Sequence, residues 1–324
     1  MAGIRDRYGG YVGSIEKESL DFLRALVGTN SFTHNRSGVL AVGALCREAF
    51  EALGFSCLST PSVTPECGDH LILTRPGGGA ESLVLVSHLD TVYPPEEEEE
   101  NDFRWREEGG WIHGPGVADI KGGTVVMIMA LRALAQQNPS LFERIQWQVL
   151  LNATEEGGCA DFRPLARDAV DGGTGACFVY EAGFEMPGGA ASVVFARKGS
   201  GRFVLEAFGR AAHSGHAHKE GASAIKELAS QVLRIEALTD YDRDVTFNVG
   251  LIEGGSVVNS VPAHARCIVD MRARNPEDFA WGAERIGELE PTVAGCTLCV
   301  TERPGYPPWP RNDDSDRLGR AAVE

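Results

Sequence analysis

Apolar residues recur three and four positions apart over residues 16–27 (Leu20, Leu23, Leu26, Val27) and again over 38–53 (Val39, Val42, Leu45, Phe50, Leu53). That is the period of a helix with one buried face. Short, nearly unbroken apolar runs follow at 82–88, 146–151 and 176–180, and they read as strands covered on both sides. A helical run at 124–134 lies between the first two. Strands alternating with helices predict a sheet carrying helices on both faces. The acidic run 96–100, after Pro94-Pro95, reads as a solvated loop tip held extended by self-repulsion.

The pattern changes near Arg197. Strand 202–208, helix 221–238, strands 245–252 and 265–272, helix 276–288 and strand 296–301 follow in turn. This βαββαβ order is that of a ferredoxin-like split βαβ unit. The fold class expected is therefore α/β: a mixed sheet with helices on both faces, interrupted by a second domain. The division expected is 1–196 for the first domain, 197–305 for the insert, and 306–324 as a return to the first. At 324 residues the chain is long enough to build two cores.

Charge and cysteines narrow the function classes. A net charge of −16, from 46 acidic against 30 basic residues, argues against nucleic acid or an anionic membrane surface as partner. No charged-then-apolar leader pattern opens the sequence, and the run at 124–134 is too short to span a bilayer, so a cytoplasmic protein is expected. The eight cysteines are dispersed, mostly within apolar stretches, and are expected to be buried free thiols. Cys296 and Cys299 have a metal-like spacing without a second pair, so they too read as structural.

Candidate chemistry gathers at the ends of the predicted strands. The first ends on His88 and Asp90, the second runs into Glu155 and Glu156, and the third ends on Glu181. Asp119 stands in Gly116-Val-Ala-Asp119-Ile-Lys-Gly-Gly123, ahead of the helical run. Carboxyl ends of strands are where open α/β sheets place their ligands. Singly, each has a plain structural explanation: a turn, a helix cap, surface charge. Their order and shared position make independent accident the poorer account. Imidazole with carboxylates suits zinc, with cobalt or manganese compatible by the same ligand softness. Asp90 can engage the second ring nitrogen of His88. Asp119 has two oxygens with which to bridge a pair of ions, Glu156 and Glu181 can take one ion each, and Glu155 can accept a proton from an activated water.

These motifs, Ser87-His88-Leu-Asp90-Thr, Gly116-Val-Ala-Asp119-Ile-Lys-Gly-Gly, Thr154-Glu155-Glu156-Gly and Glu181-Ala-Gly, resemble a family of dinuclear-zinc hydrolases. The family includes glutamate carboxypeptidase, aminoacylase, acetylornithine deacetylase and succinyl-diaminopimelate desuccinylase. Further along, Arg197-Lys-Gly-Ser-Gly, Gly209-Arg-Ala-Ala-His213-Ser-Gly and Gly254-Gly-Ser-Val-Val-Asn259-Ser-Val-Pro262 are similar as well. The glutamate carboxypeptidase subgroup is nearest, on Arg197-Lys-Gly, Glu181 and Arg303-Pro.

The resemblance implies a zinc-exopeptidase-like sheet whose insert is a dimerisation or lid domain. It also implies two Zn2+ ions per subunit. One would be held by His88, Asp119 and Glu181, the other by Asp119, Glu156 and a histidine near the C terminus. Asp90 would orient His88, and Glu155 would be the general base. The bond after Asp119 would be cis. His213 would act across a homodimer contact on the scissile carbonyl, and Asn259 and Arg303 would bind the substrate. The reaction implied is hydrolysis of an amide next to a free carboxylate in a small molecule or peptide. One departure stands out: no histidine follows Arg303. The second metal position is thus expected to be incomplete and the chain to be a fragment or a truncated product. The alternative function is a catalytically impaired homologue that binds metal and dimerises through its insert.

Overall fold

The computed structural model describes residues 3–170, 173–183, 185–186 and 190–323. It comprises two compact units, 1–182 and 183–324.

In the first unit, helices α1 (Ile4–Val27) and α2 (Arg36–Glu51) precede strands β1 (Ser56–Pro61), β2 (Asp69–Arg75) and β3 (Ser82–His88). A short helix α3 (Pro95–Glu100) and a hairpin of β4 (Arg106–Glu108) and β5 (Trp111–His113) lead into α4 (Gly122–Gln137) and α5 (Pro139–Arg144). Then come β6 (Gln146–Asn152), α6 (Phe162–Ala169) and β7 (Thr174–Val179). The strands order as β1-β2-β6-β3-β7. β3 runs parallel to β6 and β7, whereas β1–β2 and β2–β6 are antiparallel.

Alternation along the strands builds two cores. Leu85, Val149 and Leu151 pack with Leu26, Val39, Phe50 and Met127 of the helices, while Val84 and Leu150 join Phe162 of α6. Successive side chains point to opposite faces of a sheet, so apolar runs of this kind require cover on both sides. Removing one fully buried leucine from such a core costs about 2–5 kcal/mol. The same packing fixes where the strands end. His88 of β3 lies level with Asn152 of β6, and Tyr180 N–H donates to Val86 O at 3.0 Å, so three carboxyl ends converge.

Two local readings are corrected. Residues 95–100 form α3 instead of an extended loop. Pro95 occupies the first helical turn, and Glu96, Glu97 and Glu98 sit at the positive end of the helix dipole, where acids are favoured. The cysteines also divide: Cys46, Cys67, Cys267 and Cys296 are buried, but Cys177 on β7 and Cys299 are exposed.

The second unit opens with β8 (Glu185–Met186) and β9 (Ala190–Ala191). β10 (Gly199–Phe208), α7 (Ala224–Glu236), β11 (Thr246–Gly254), β12 (His264–Ala273), α8 (Pro276–Gly287) and β13 (Thr297–Tyr306) then give the expected βαββαβ order. α7 and α8 start on side-chain caps from Ser223 and Asn275. Their apolar faces bring Leu228, Ile235 and Ile286 against Leu205, Val269 and Met271 of an antiparallel sheet ordered β11-β12-β10-β13. Helix α9 (Asp313–Val323) follows β13. Among the described residues no helix is long and apolar enough to cross a membrane.

Candidate metal centre

All six residues proposed from the sequence for metal binding and proton transfer fall in the first unit, and the fold brings them together. His88 is 2 % exposed at the end of β3. Its Nε2 lies 2.9 Å from Asp119 Oδ1 and 3.8 Å from Glu181 Oε1. Ligand atoms of His88, Asp119 and Glu181 all lie within 4.8 Å of one another, and those of His88, Glu155 and Glu156 do likewise. Both groups draw on the same imidazole.

Asp119 sits on a helical turn between Gly116, at φ 72°, and α4. The Asp119–Ile120 bond is cis, the conformation implied by the family resemblance. The start of α4 is seated tightly: a Cβ added at Gly123 would lie 2.0 Å from the main-chain oxygen of Tyr180, the residue before Glu181. Ser87 and Thr124 hydroxyls, 2.6 Å apart, tie β3 to the same helix.

Asp90 does more than orient a ring. His88 Nδ1 lies 2.9 Å from the Asp90 main-chain oxygen and 3.4 Å from its carboxylate. The carboxylate accepts from Thr33 Oγ1 at 2.7 Å and from the amides of Glu155 and Glu156 at 3.0 and 3.1 Å. One buried acid thus fixes both the imidazole and the acid pair.

The electrostatics of the cluster favour a cation. Burial, then the charge of Asp119, pushes Glu156 up to about 7. Burial also raises Glu155, with Asp90 and Asp119 adding to the effect against the pull of His88. Burial works against a charged His88, but hydrogen bonds to Asp119 and Asp90 outweigh it and raise the imidazole to about 10. The hydrogen bond from His88 in turn holds Asp119 below the usual carboxylate range. A divalent ion among these acids fits the oxygen and imidazole donors present and relieves their repulsion.

Beside the cluster lies a cavity of about 270 Å³, walled by Tyr93, Phe103, Ile112 and Val117 and reaching Asp119 and Glu156. A larger hollow of about 490 Å³ near Tyr241 and Trp281 belongs to the second unit and, among the described residues, is lined by no such donor group, so the smaller one is the candidate substrate space.

The remaining proposed residues belong to the second unit. His213 and Asn259 are both exposed and adjacent, with Ser214 N–H donating to Asn259 O at 3.0 Å. Arg303 is exposed on β13, opposite Arg202 of β10. Sequence reading missed Thr33, His70 and Asp161, which support the site from distant segments; only His70, polar within the apolar run of β2, carries a local signal.

The chain is similar to several known peptidases. Residues 195–289 match the model of the peptidase dimerisation domain, and 70–226 match that of peptidase family M28. Carboxypeptidase G2 of a Pseudomonas species is 30% identical over 258 residues, covering 79% of this chain. The match takes in only 60% of that relative's own length. In fold, the chain is similar to aminopeptidase PepT of Bacillus cereus, with TM-score 0.75, 22% identity, and coverage of 95% and 81% of the two chains. It is also similar to an M20 family metallo-carboxypeptidase of Sulfolobus solfataricus, with TM-score 0.60, 15% identity, and coverage of 86% and 78%.

Proposed function

We propose that the chain is a member of the zinc metallopeptidase family related to glutamate carboxypeptidase, and that it serves a metal-dependent hydrolysis of an amide bond adjacent to a free carboxylate. The type is that of a carboxypeptidase or an N-acyl amino acid deacylase. The observation that carries the reading is the convergence of His88, Asp119 and Glu181 within 4.8 Å at the carboxyl ends of the sheet. A divalent ion there supplies Lewis-acid polarisation of the scissile carbonyl and acidifies a water.

This chain's own groups do the rest. His88, Asp119 and Glu181 hold one ion, which we take to be zinc, and Glu156 with Asp119 offers part of a second position. Asp90 sets the His88 ring and the Glu155–Glu156 main chain together. Glu155, raised above the ordinary carboxylate range by burial, takes the proton of the attacking water and passes it to the leaving amine. The cavity beside Tyr93 and Phe103 has room for one flank of the substrate. His213, Asn259 and Arg303 act from the dimerisation domain on the substrate's carbonyl or carboxylate. Residues 197–305 constitute that domain in a homodimer, while 306–324, expected to return to the first domain, group with the second unit.

A second reading, a metal-binding homologue with impaired turnover, draws on the sharing of His88 by both donor groups. The test is zinc loading followed by assay of amine release from a panel of N-acyl-L-glutamates. Turnover abolished by a chelator supports the hydrolase. Firm zinc binding without turnover on any substrate favours the impaired homologue.

A further inference from the structure

The acid pair Glu155–Glu156 follows a main chain held at every amide by a side chain. Glu155 and Glu156 N–H donate to Asp90, as described above, and Thr154 N–H donates to Asn152 Oδ1 at 2.9 Å. Ala153 N–H, wholly buried, donates to His70 Nδ1 at 3.1 Å. His70 comes from β2 and is 1 % exposed.

Accepting an amide proton at Nδ1 requires the ring proton to sit on Nε2, which lies 3.2 Å from Asp161 Oδ2, close to the carboxylate but outside hydrogen-bond geometry. Asp161 is anchored in turn. It accepts from Ser62 Oγ at 2.6 Å, Val63 N–H at 3.0 Å and, through its other oxygen, Thr154 Oγ1 at 3.0 Å. The segment 153–156 is therefore gripped from two sides. Asp90 holds its metal-facing end, and His70 with Asp161 holds its root.

We propose that His70, backed by Asp161, is a positioning residue that fixes the main chain carrying Glu155 and Glu156, and so sets where their carboxylates meet the ion and the reacting water. The inference rests on the role proposed above for those two glutamates. Glu156 donates to an ion from the second residue after an anchored turn, so loosening Ala153 displaces it without removing any donor. Partners of this kind, one layer behind the ligands, typically govern metal affinity or activity by about 10–100-fold.

Three variants test the idea: His70→Leu, which removes the acceptor, His70→Asn, whose amide oxygen can replace it, and Leu26→Ala as a control for general destabilisation. Amide exchange over 150–158 is followed by mass spectrometry in the metal-free protein. Binding of Co2+ is then titrated through its visible absorption, which reports ligand geometry. For His70→Leu we expect exchange at 153–156 faster by about 10-fold or more, Co2+ affinity weaker by about 10–100-fold, and an altered spectrum. His70→Asn recovers much of each, and Leu26→Ala changes neither the local exchange nor the spectrum. His70→Leu behaving as wild type in both measurements overturns the proposal, as does an equal response from Leu26→Ala. If His70→Leu does not fold, Asp161→Ala keeps the ring but removes its backing, and the same shifts are expected in smaller measure; their absence likewise overturns it. Faster exchange in His70→Leu, with no Co2+ bound even by wild type, upholds the positioning and defeats the metal reading instead.

Discussion

Glu155 and Glu156 are neighbours with different tasks, and substitution separates them. In a catalytically competent form of the protein, Glu155→Gln keeps the metal donors and loses the proton acceptor. Turnover should fall by about 10²–10⁴-fold with metal content unchanged. Glu156→Gln should weaken metal binding first and activity as a consequence. Metal analysis and turnover of both variants check the assignment, and the opposite pattern exchanges the two roles. Asp161 gives a separate signature in acid. Burial acts to raise its carboxyl, but contacts from Ser62, His70, Val63 and Thr154 outweigh burial and hold it well below its ordinary value of about 3.9. A depressed folded pKa stabilises the native state above the unfolded pKa, and that contribution is lost as pH falls through the folded value. Asp161→Asn should therefore be less stable than wild type by a constant margin from neutral pH to about pH 5, and the margin should shrink below about pH 4. Urea melts across this range provide the measurement.

At the scale of elements, the strand ends were the legible part. Apolar runs stopping on His88 and Glu155–Glu156 marked a common edge because β3 and β6 are inner strands of the sheet, whereas β7, which leads to Glu181, is an edge strand with Phe178 40% and Val179 56% exposed. Residues 95–100 misled, because a run of like charge reads as repulsion, while Pro95 and the helix dipole make the same charges favourable in a short helix. His70, Thr33 and Asp161 were illegible for a different reason. Each reaches the site through tertiary contact; His70 is a lone polar residue in an apolar strand, and Thr33 and Asp161 stand in loop segments rich in polar residues, so none carries a spacing that betrays its partner. The junction of α4 with the end of β7 was hidden for the same reason, and it yields a prediction. Gly123→Ala places a methyl group 2.0 Å from Tyr180 O, a backbone atom that must shift. Glu181 moves with it, so metal affinity should drop by about 10-fold or more while the second unit's melting is unaffected. Calorimetric titration with Zn2+, alongside a thermal melt, checks both halves.

For the whole molecule, the second unit supplies a surface consistent with assembly. β11 is an edge strand, with Leu251 64% and Ile252 58% exposed, and unpaired edges carrying apolar side chains invite pairing. A homodimer with its contact within 209–251 should appear in sedimentation at micromolar concentration. Leu251→Lys should shift it toward monomer without altering metal content, and a wild-type monomer would remove the basis for His213 acting on a partner's substrate. The fold class and the order of elements in this unit were readable from periodicity alone; which edge is left open was not, because strand order depends on pairings that a single sequence does not display.

The central claim is that His88, Asp119 and Glu181 hold a divalent ion, and metal content after dialysis tests it most directly. The wild-type chain, loaded with Zn2+ and dialysed, should retain about one firmly held ion per chain, with weak occupancy of a second position. His88→Ala should retain none, and Glu155→Gln should match wild type. A wild-type chain that emerges free of zinc, or a His88→Ala variant that keeps as much as wild type, would contradict the account.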